Sequence, residues 1–378
     1  MAKSNRNGAI DFFRFYFCIM IVLRHSAHAL PSGFPEIMKG GALGVEFFFI
    51  VSGYLLACSA FKRVNNGNPI KVAADTNTFM KRKAGSLMPD LAVAAVISMT
   101  CYSITLIPKG FEAILNYFAA KIWNPLLLSA SGIGVTTELW YLSAMILVTF
   151  IYYPIMIKHF NAFVRIIAPI IAIFTLGYIS KGLHSLTNPS YFTGLLPKGT
   201  VRAFGEIALG VALYPLIQSL SKQPLSRLTK RLVTLATFIC VVGATLIMDL
   251  RESYEFDFIC LLFITVIVIL CFSHQGSLAD KFDNRFSFWL GRLSLTLYLS
   301  HRWVADCLYN IYLPFAKRNW FGLGVSEEYD FLVVHIVYFI CAAVACTVVY
   351  LISKYIRKHS EQIKARFNRA FIKQQAAD

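Results

Sequence analysis

With 378 residues, 57% of them hydrophobic and only 15% charged, the chain is too apolar to be a set of water-soluble domains, which would scatter charge throughout. Its net charge of +16 does not point to nucleic acid, because Lys and Arg gather between apolar blocks with no RNP-like aromatic motif, finger spacing or soluble basic domain. Nine cysteines lie inside the apolar blocks without CxxC or ligand-like spacing and read as small core residues, so no metal is expected.

The expected fold class is all-α: a polytopic membrane protein of about ten transmembrane helices. The first apolar stretch, Ala9 to Leu30, carries Asp11, Arg14, Arg24, His25 and His28, although a charge at mid-bilayer costs about 2.5–3.5 kcal/mol on the mildest scales. The segment before it shows no small-residue cleavage site after the apolar run, so the stretch is expected to be retained. Arg14 and His25 stand eleven residues apart, which on a helix leaves them about 20° from one face and about 16 Å apart along the axis. Asp11 and Arg14 can pair at i,i+3, and Arg24 can reach the opposite headgroups, but His25 has no such escape. A buried functional histidine is the reading it supports.

The second span, Leu43 to Phe61, reads GVEFFFIVSGY, with Glu46 near one end and Ser52, Gly53 and Tyr54 toward the middle. By periodicity the latter three read as packing. Further spans are expected at Ser86 to Ile107, Glu138 to Ile157, Ile166 to Ser180, Ala203 to Leu220, Leu232 to Asp249, Asp257 to Ser273, Phe288 to Leu313 and Phe331 to Ser353. Most Lys and Arg outside the spans fall on the side of the N-terminus, which places both termini in the cytoplasm. Residues 1–353 then form one membrane domain and 354–378 a basic cytoplasmic tail, suited to lying along the membrane surface or staying unfolded. Two outside loops, Pro108 to Thr137 and Lys181 to Arg202, are long enough to form a lid or an acceptor surface.

With that topology the intramembrane polar residues sort by depth. The inner tier is cationic: Arg14, Arg292, and Arg82 with Lys83 just before the third span. It suits a polyphosphorylated donor. The outer tier comprises His25, Glu46, Glu138, Arg202, Glu206, His301, Arg302 and His335, a set suited to proton transfer. Glu46 matches His25 in depth and can orient its ring; Glu138 and Glu206 are alternatives for that task. Trp140 and Tyr141 read equally as an aromatic belt or as site residues. Arg292 and His301 fall on opposite faces of their helix, whereas Tyr298 and His301 share one at i,i+3.

These residues resemble the acyltransferase 3 family of integral membrane O-acyltransferases. Arg14 and His25 match its R-x10-H element, GVEFFFIVSGY its glycine-acid-FF-x-SG signature, and ELWYLSA and SLTLYLSH its tryptophan and tyrosine-x-x-histidine segments. The chain departs at Ser86, where members commonly carry arginine three residues before the third-helix proline. It departs again at Glu46, where aspartate is common, and it is expected to do without the hydrolase-like domain fused to longer members.

The resemblance implies a cytoplasmic acyl-CoA donor, most simply acetyl-CoA, and as acceptor an envelope polysaccharide or lipid-linked sugar, in a bacterial inner membrane. It makes His25 and Arg14 the essential pair. The expected roles are then His25 as base with Glu46 orienting it; Arg14, Arg82, Lys83 and Arg292 on the coenzyme phosphates; and Trp140, Tyr298 and His301 on substrate. A succinyl or other acyl donor and an acyl-histidine relay remain open, and the rival from another class is a glycolipid flippase.

Overall fold

The computed structural model describes residues 7–29, 36–121, 126–131, 139–251, 253–276, 281–316 and 327–375. Among them no strand forms, and the chain is an all-α helical bundle. The helices are α1 (Gly8–Ser26), α2 (Gly44–Val64), α3 (Val72–Leu106), α4 (Phe111–Lys121), α5 (Trp140–Lys158) and α6 (Phe160–Leu183). They continue as α7 (Lys198–Leu220), α8 (Arg227–Asp249), α9 (Asp257–Phe272), α10 (Arg285–Ala316) and α11 (Glu327–Gln375).

A helix falls at each of the ten expected spans, as it must where lipid offers the backbone no hydrogen-bond partner. Eight of the helices are long and apolar enough to cross a membrane. The other two are α1 and α10, whose polar and charged residues spoil the apolar run, and they pack against each other along their length. That packing buries Asp11 and His301 and leaves Arg14, Arg24 and Arg302 only partly exposed, which lowers the cost of placing these groups at membrane depth.

Helix α2 forms the middle of the bundle, with 72% of its apolar window buried, whereas α8 buries 22% and stands at the rim. The crossing of α2 and α7 depends on two glycines. A Cβ on Gly53 would lie 2.1 Å from the Ile207 carbonyl oxygen, and one on Gly210 would lie 2.1 Å from that of Ile50. Small residues let the two backbones touch here. As a result Glu46, about two turns before Gly53, meets the first turns of α7.

Three boundaries differ from expectation. Helix α3 starts at Val72 rather than near Ser86, because its first turns are polar and largely exposed, which hydropathy does not register. The loop after it folds a short helix, α4, whose Tyr117 ring stacks on Tyr102 of α3 at 4.5 Å. Helix α11 continues without interruption past Ser353 to Gln375, so the basic tail prolongs the last span. Arg357 of that prolongation pairs with Asp90 of α3.

Candidate functional site

The last turn of α1 brings His25 against His301 of α10. Their rings lie 4.9 Å apart between centroids, and the His28 ring stacks on that of His25 at 5.5 Å. His301 Nδ1 lies 2.7 Å from the Tyr298 carbonyl, and its Nε2 lies 3.2 Å from His25 Nδ1, which is also 2.9 Å from the Ile21 carbonyl. A carbonyl only accepts. Neutral His301 therefore carries its proton on Nδ1, and His25 donates from Nδ1 to both Ile21 and the free Nε2 of His301. The remaining nitrogen of His25, Nε2, is left as a base, and His25 lines a cavity of about 210 Å³.

That cavity also touches Trp140, Arg202, Tyr298, Arg302 and Asp306. Part of its wall is the segment between α6 and α7, through Thr187, Pro189 and Ser190. A buried ion pair holds this segment. Asp257 at the first turn of α9 accepts from Arg251 Nε at 2.7 Å, from the Leu186 N–H at 2.9 Å and from the Ser185 hydroxyl at 3.2 Å. Arg251 also donates to Thr187 at 3.1 Å. A fully buried carboxylate is tolerable here because its oxygens are satisfied.

Glu46 does not orient His25. It takes the guanidinium of Arg202, which also donates through Nε to Glu206 at 3.0 Å. All three side chains are essentially inaccessible, at 0–1% exposure. The Arg202 guanidinium lies 5.3 Å from the centroid of the Trp140 ring, within cation–π reach. The ring partner expected of a carboxylate is supplied by His301, because the α1–α10 packing brings that histidine to His25 while the α2–α7 crossing takes Glu46 elsewhere. Glu206, the alternative partner, belongs to the same triad, and Glu138 lies outside the described residues. His335 is buried on α11.

A second cavity, of about 490 Å³, lies toward the other end of the bundle and is lined by Arg14, Lys83, Ser86, Tyr141, Arg292 and Tyr298. Tyr298 lines both cavities. A third, of about 510 Å³, carries Lys62, Arg63, Arg82 and Lys83 and shares Leu55 and Lys83 with the second. Arg14 and Asp11 form the i,i+3 pair at 3.5 Å, with Arg14 about one third exposed.

Of the expected residues, His25, Trp140, Tyr298 and His301 therefore gather at one end of this series, and Arg14, Arg82, Lys83 and Arg292 at the other. Sequence reasoning placed Arg202 in the outer tier and Tyr141 beside Trp140 without giving either a task, and it did not single out Asp306, Lys62 or Arg63. The i,i+4 spacing of Arg202 with Glu206 and of Arg302 with Asp306, the latter pair at 3.2 Å, was the available signal.

A protein-family profile described as an acyltransferase domain, Acyl_transf_3, matches residues 7–354. Comparison with curated proteins and with solved structures finds no match. The matched stretch contains all three cavities and every residue named in them.

Proposed function

The chain belongs to the acyltransferase 3 family and is a membrane acyltransferase, and from that premise we propose that it moves an acetyl group from acetyl-CoA to a sugar hydroxyl. The acceptor is an envelope polysaccharide or a lipid-linked glycan at a bacterial inner membrane, and the basic end of the bundle faces the cytoplasm. Family membership favours catalysis over the flippase reading. The observation that carries the proposal is the series of adjoining cavities. Cations line its broad end, a basic imidazole nitrogen its narrow end, and Tyr298 stands between.

The coenzyme phosphates bind at Lys62, Arg82 and Lys83, where cations and anion are matched in charge. The pantetheine arm runs through the second cavity, past Arg14 and Arg292, and brings the thioester to Tyr298. His25 Nε2 takes the proton of the acceptor hydroxyl as its oxygen bonds to the thioester carbonyl carbon. The carbon–sulfur bond then breaks, and the departing thiolate receives that proton from the imidazolium. His301 favours this step because the hydrogen bond it accepts from His25 Nδ1 strengthens when His25 becomes cationic. Trp140 offers an aromatic face to the sugar ring.

The wall at Tyr298 also favours a two-step form. In it His25 Nε2 attacks the thioester, the carbon–sulfur bond breaks and the departing thiolate takes a proton from the acyl-imidazolium; the neutral acyl-imidazole then passes its acyl group to the sugar oxygen, and the hydroxyl proton returns to the imidazole it frees.

Reconstituted protein supplied with labelled acetyl-CoA at its basic end and glycan on the other side tests the reading. Label should appear in the glycan with the wild type and not with His25→Ala at equal protein level. Equal labelling by the variant would remove His25 from the chemistry. An acyl adduct on His25 when the glycan is withheld identifies the two-step form.

A further inference from the structure

A fourth cavity, of about 530 Å³, lies between α2, α6 and α7, near the basic end of the bundle, and shares no lining residue with the three already described. Three aromatic rings, Phe61, Phe160 and Tyr214, form one side. Their centroids are 5.5 Å (Phe61–Phe160), 5.6 Å (Phe61–Tyr214) and 5.6 Å (Phe160–Tyr214) apart. Arg165 and Lys222 line it as well, and no acidic residue does.

The backbone there is built to leave space. Helices α5 and α6 are joined through the single residue His159, and α6 then widens into a π-helical turn at Phe163–Ile167 that carries Arg165. Such turns recur at binding sites. Helix α7 breaks at Leu213, just ahead of Tyr214 and Pro215. The floor is fixed: Gln218 donates to the Tyr54 hydroxyl at 3.0 Å, and Gln275 holds the end of α7 by donating to the Leu220 carbonyl and, at 3.1 Å, to that of Gln223.

A cavity with two cations and no acid calls for an anion, and an aromatic wall calls for an apolar body. The apolar side chains that follow two of its lining residues, Arg165 and Pro215, lie on the outer surface of the bundle, where lipid would cover them: Ile166 is 59% exposed and Leu216 47%. A free phosphate would use the cations and leave the rings idle. A nucleotide would have to leave the through-series of cavities on the other side of α2.

We propose that this cavity binds an anionic phospholipid, with Arg165 and Lys222 on its phosphate and the Phe61, Phe160 and Tyr214 rings against its glycerol and upper acyl chains. Basic pockets between helices at a cytoplasmic surface bind lipid headgroups by this combination. Because Phe61 directly precedes Lys62, a seated lipid would brace the end of α2 next to the coenzyme cavity. The proposal does not depend on what the enzyme acylates.

The full chain, purified in detergent and stripped of lipid, is titrated with phosphatidylglycerol and with phosphatidylcholine and read by native mass spectrometry. Wild type should prefer phosphatidylglycerol, the double variant R165Q/K222Q should bind it about thirtyfold more weakly, and R165K/K222R should keep it. Equal binding of the two lipids, or unchanged affinity in R165Q/K222Q, would overturn the proposal. A chase on the wild-type complex needs no variant. Displacement of phosphatidylglycerol by millimolar inorganic phosphate or by adenosine 3′,5′-bisphosphate would show a phosphate or nucleotide site instead, whereas retention supports the lipid.

Discussion

The two ends of the cavity series handle charge in opposite ways. Around the His25 end, arginines have carboxylate partners: Arg202 with Glu46 and Glu206 and Arg251 with Asp257 are buried, while Arg302 with Asp306 and Arg24 with Glu36, at 3.3 Å, are partly exposed. At the basic end, Lys62, Arg82 and Lys83 have no acidic partner among the described residues, although Arg63 pairs with Asp75 at 2.7 Å. Paired buried charges hold side chains in one arrangement, as chemistry on a small group requires. Unpaired cations suit a countercharge that comes and goes, as the proposed polyphosphorylated donor would. On that proposal one end serves as a fixed reaction chamber and the other as an electrostatic receptor.

Substitutions that break this contrast should differ in kind as well as size. The largest effect belongs to His25→Ala, which removes the free imidazole nitrogen. Acyl transfer should fall by about 10²–10⁴-fold with acetyl-CoA binding retained, measured by turnover and by coenzyme titration on the same preparation. Loss of coenzyme binding in that variant would place His25 in the receptor instead. Next comes Arg202→Met, which strands two buried carboxylates and should cost about 3–5 kcal/mol of stability, read as a lowered thermal unfolding midpoint in detergent. Adding Glu46→Gln and Glu206→Gln to that variant should restore much of the loss. A triple variant as unstable as the single one would mean that packing, not charge, makes the triad matter.

The contrast was partly legible in the sequence. Period 3.6 placed Arg14 and His25 on one face of a helix, and the structure puts them on successive cavities, as a rigid rod demands. Depth matching also brought His301 to the His25 end, and its i,i+3 spacing brought Tyr298 with it. Depth failed for Glu46, since residues at one level can still point to different neighbours. Its partner lies on α7, and the choice was made by the backbone approach at Gly53 and Gly210, which no local pattern encodes. The extension of α3 to Val72 escaped because its first turns are polar, and hydropathy sees only what lipid touches. The lipid-facing cavity escaped for a related reason: it arises from helix breaks at His159 and Leu213, whose consequences are three-dimensional.

His301→Gln sharpens the account of the reaction chamber. Its ring accepts from His25, and that bond gains strength when His25 is protonated, so losing it should cost about 1.5–3 kcal/mol in the transition state, or about 10- to 150-fold in kcat. KM for acetyl-CoA should not move. A change in KM without a change in kcat would mean that His301 binds donor and leaves the tautomer of His25 to the Ile21 carbonyl alone.

The smallest effect is expected at the receptor end, and its form matters more than its size. Arg82→Gln and Lys83→Gln each remove one of several cations that act together on a mobile, hydrated polyanion, so each should raise KM for acetyl-CoA about three- to tenfold and leave kcat in place. The effect should shrink as salt rises from low to physiological strength, because partly exposed charges are screened over about 8–10 Å. Dephospho-CoA thioesters, lacking one phosphate, should show a smaller KM penalty in these variants than the full coenzyme. If instead either substitution lowers kcat at saturating donor and at any salt, the basic end is fixing the thioester in place. The division between a receptor that only gathers the donor and a chamber that positions it would then be drawn at the wrong cavity.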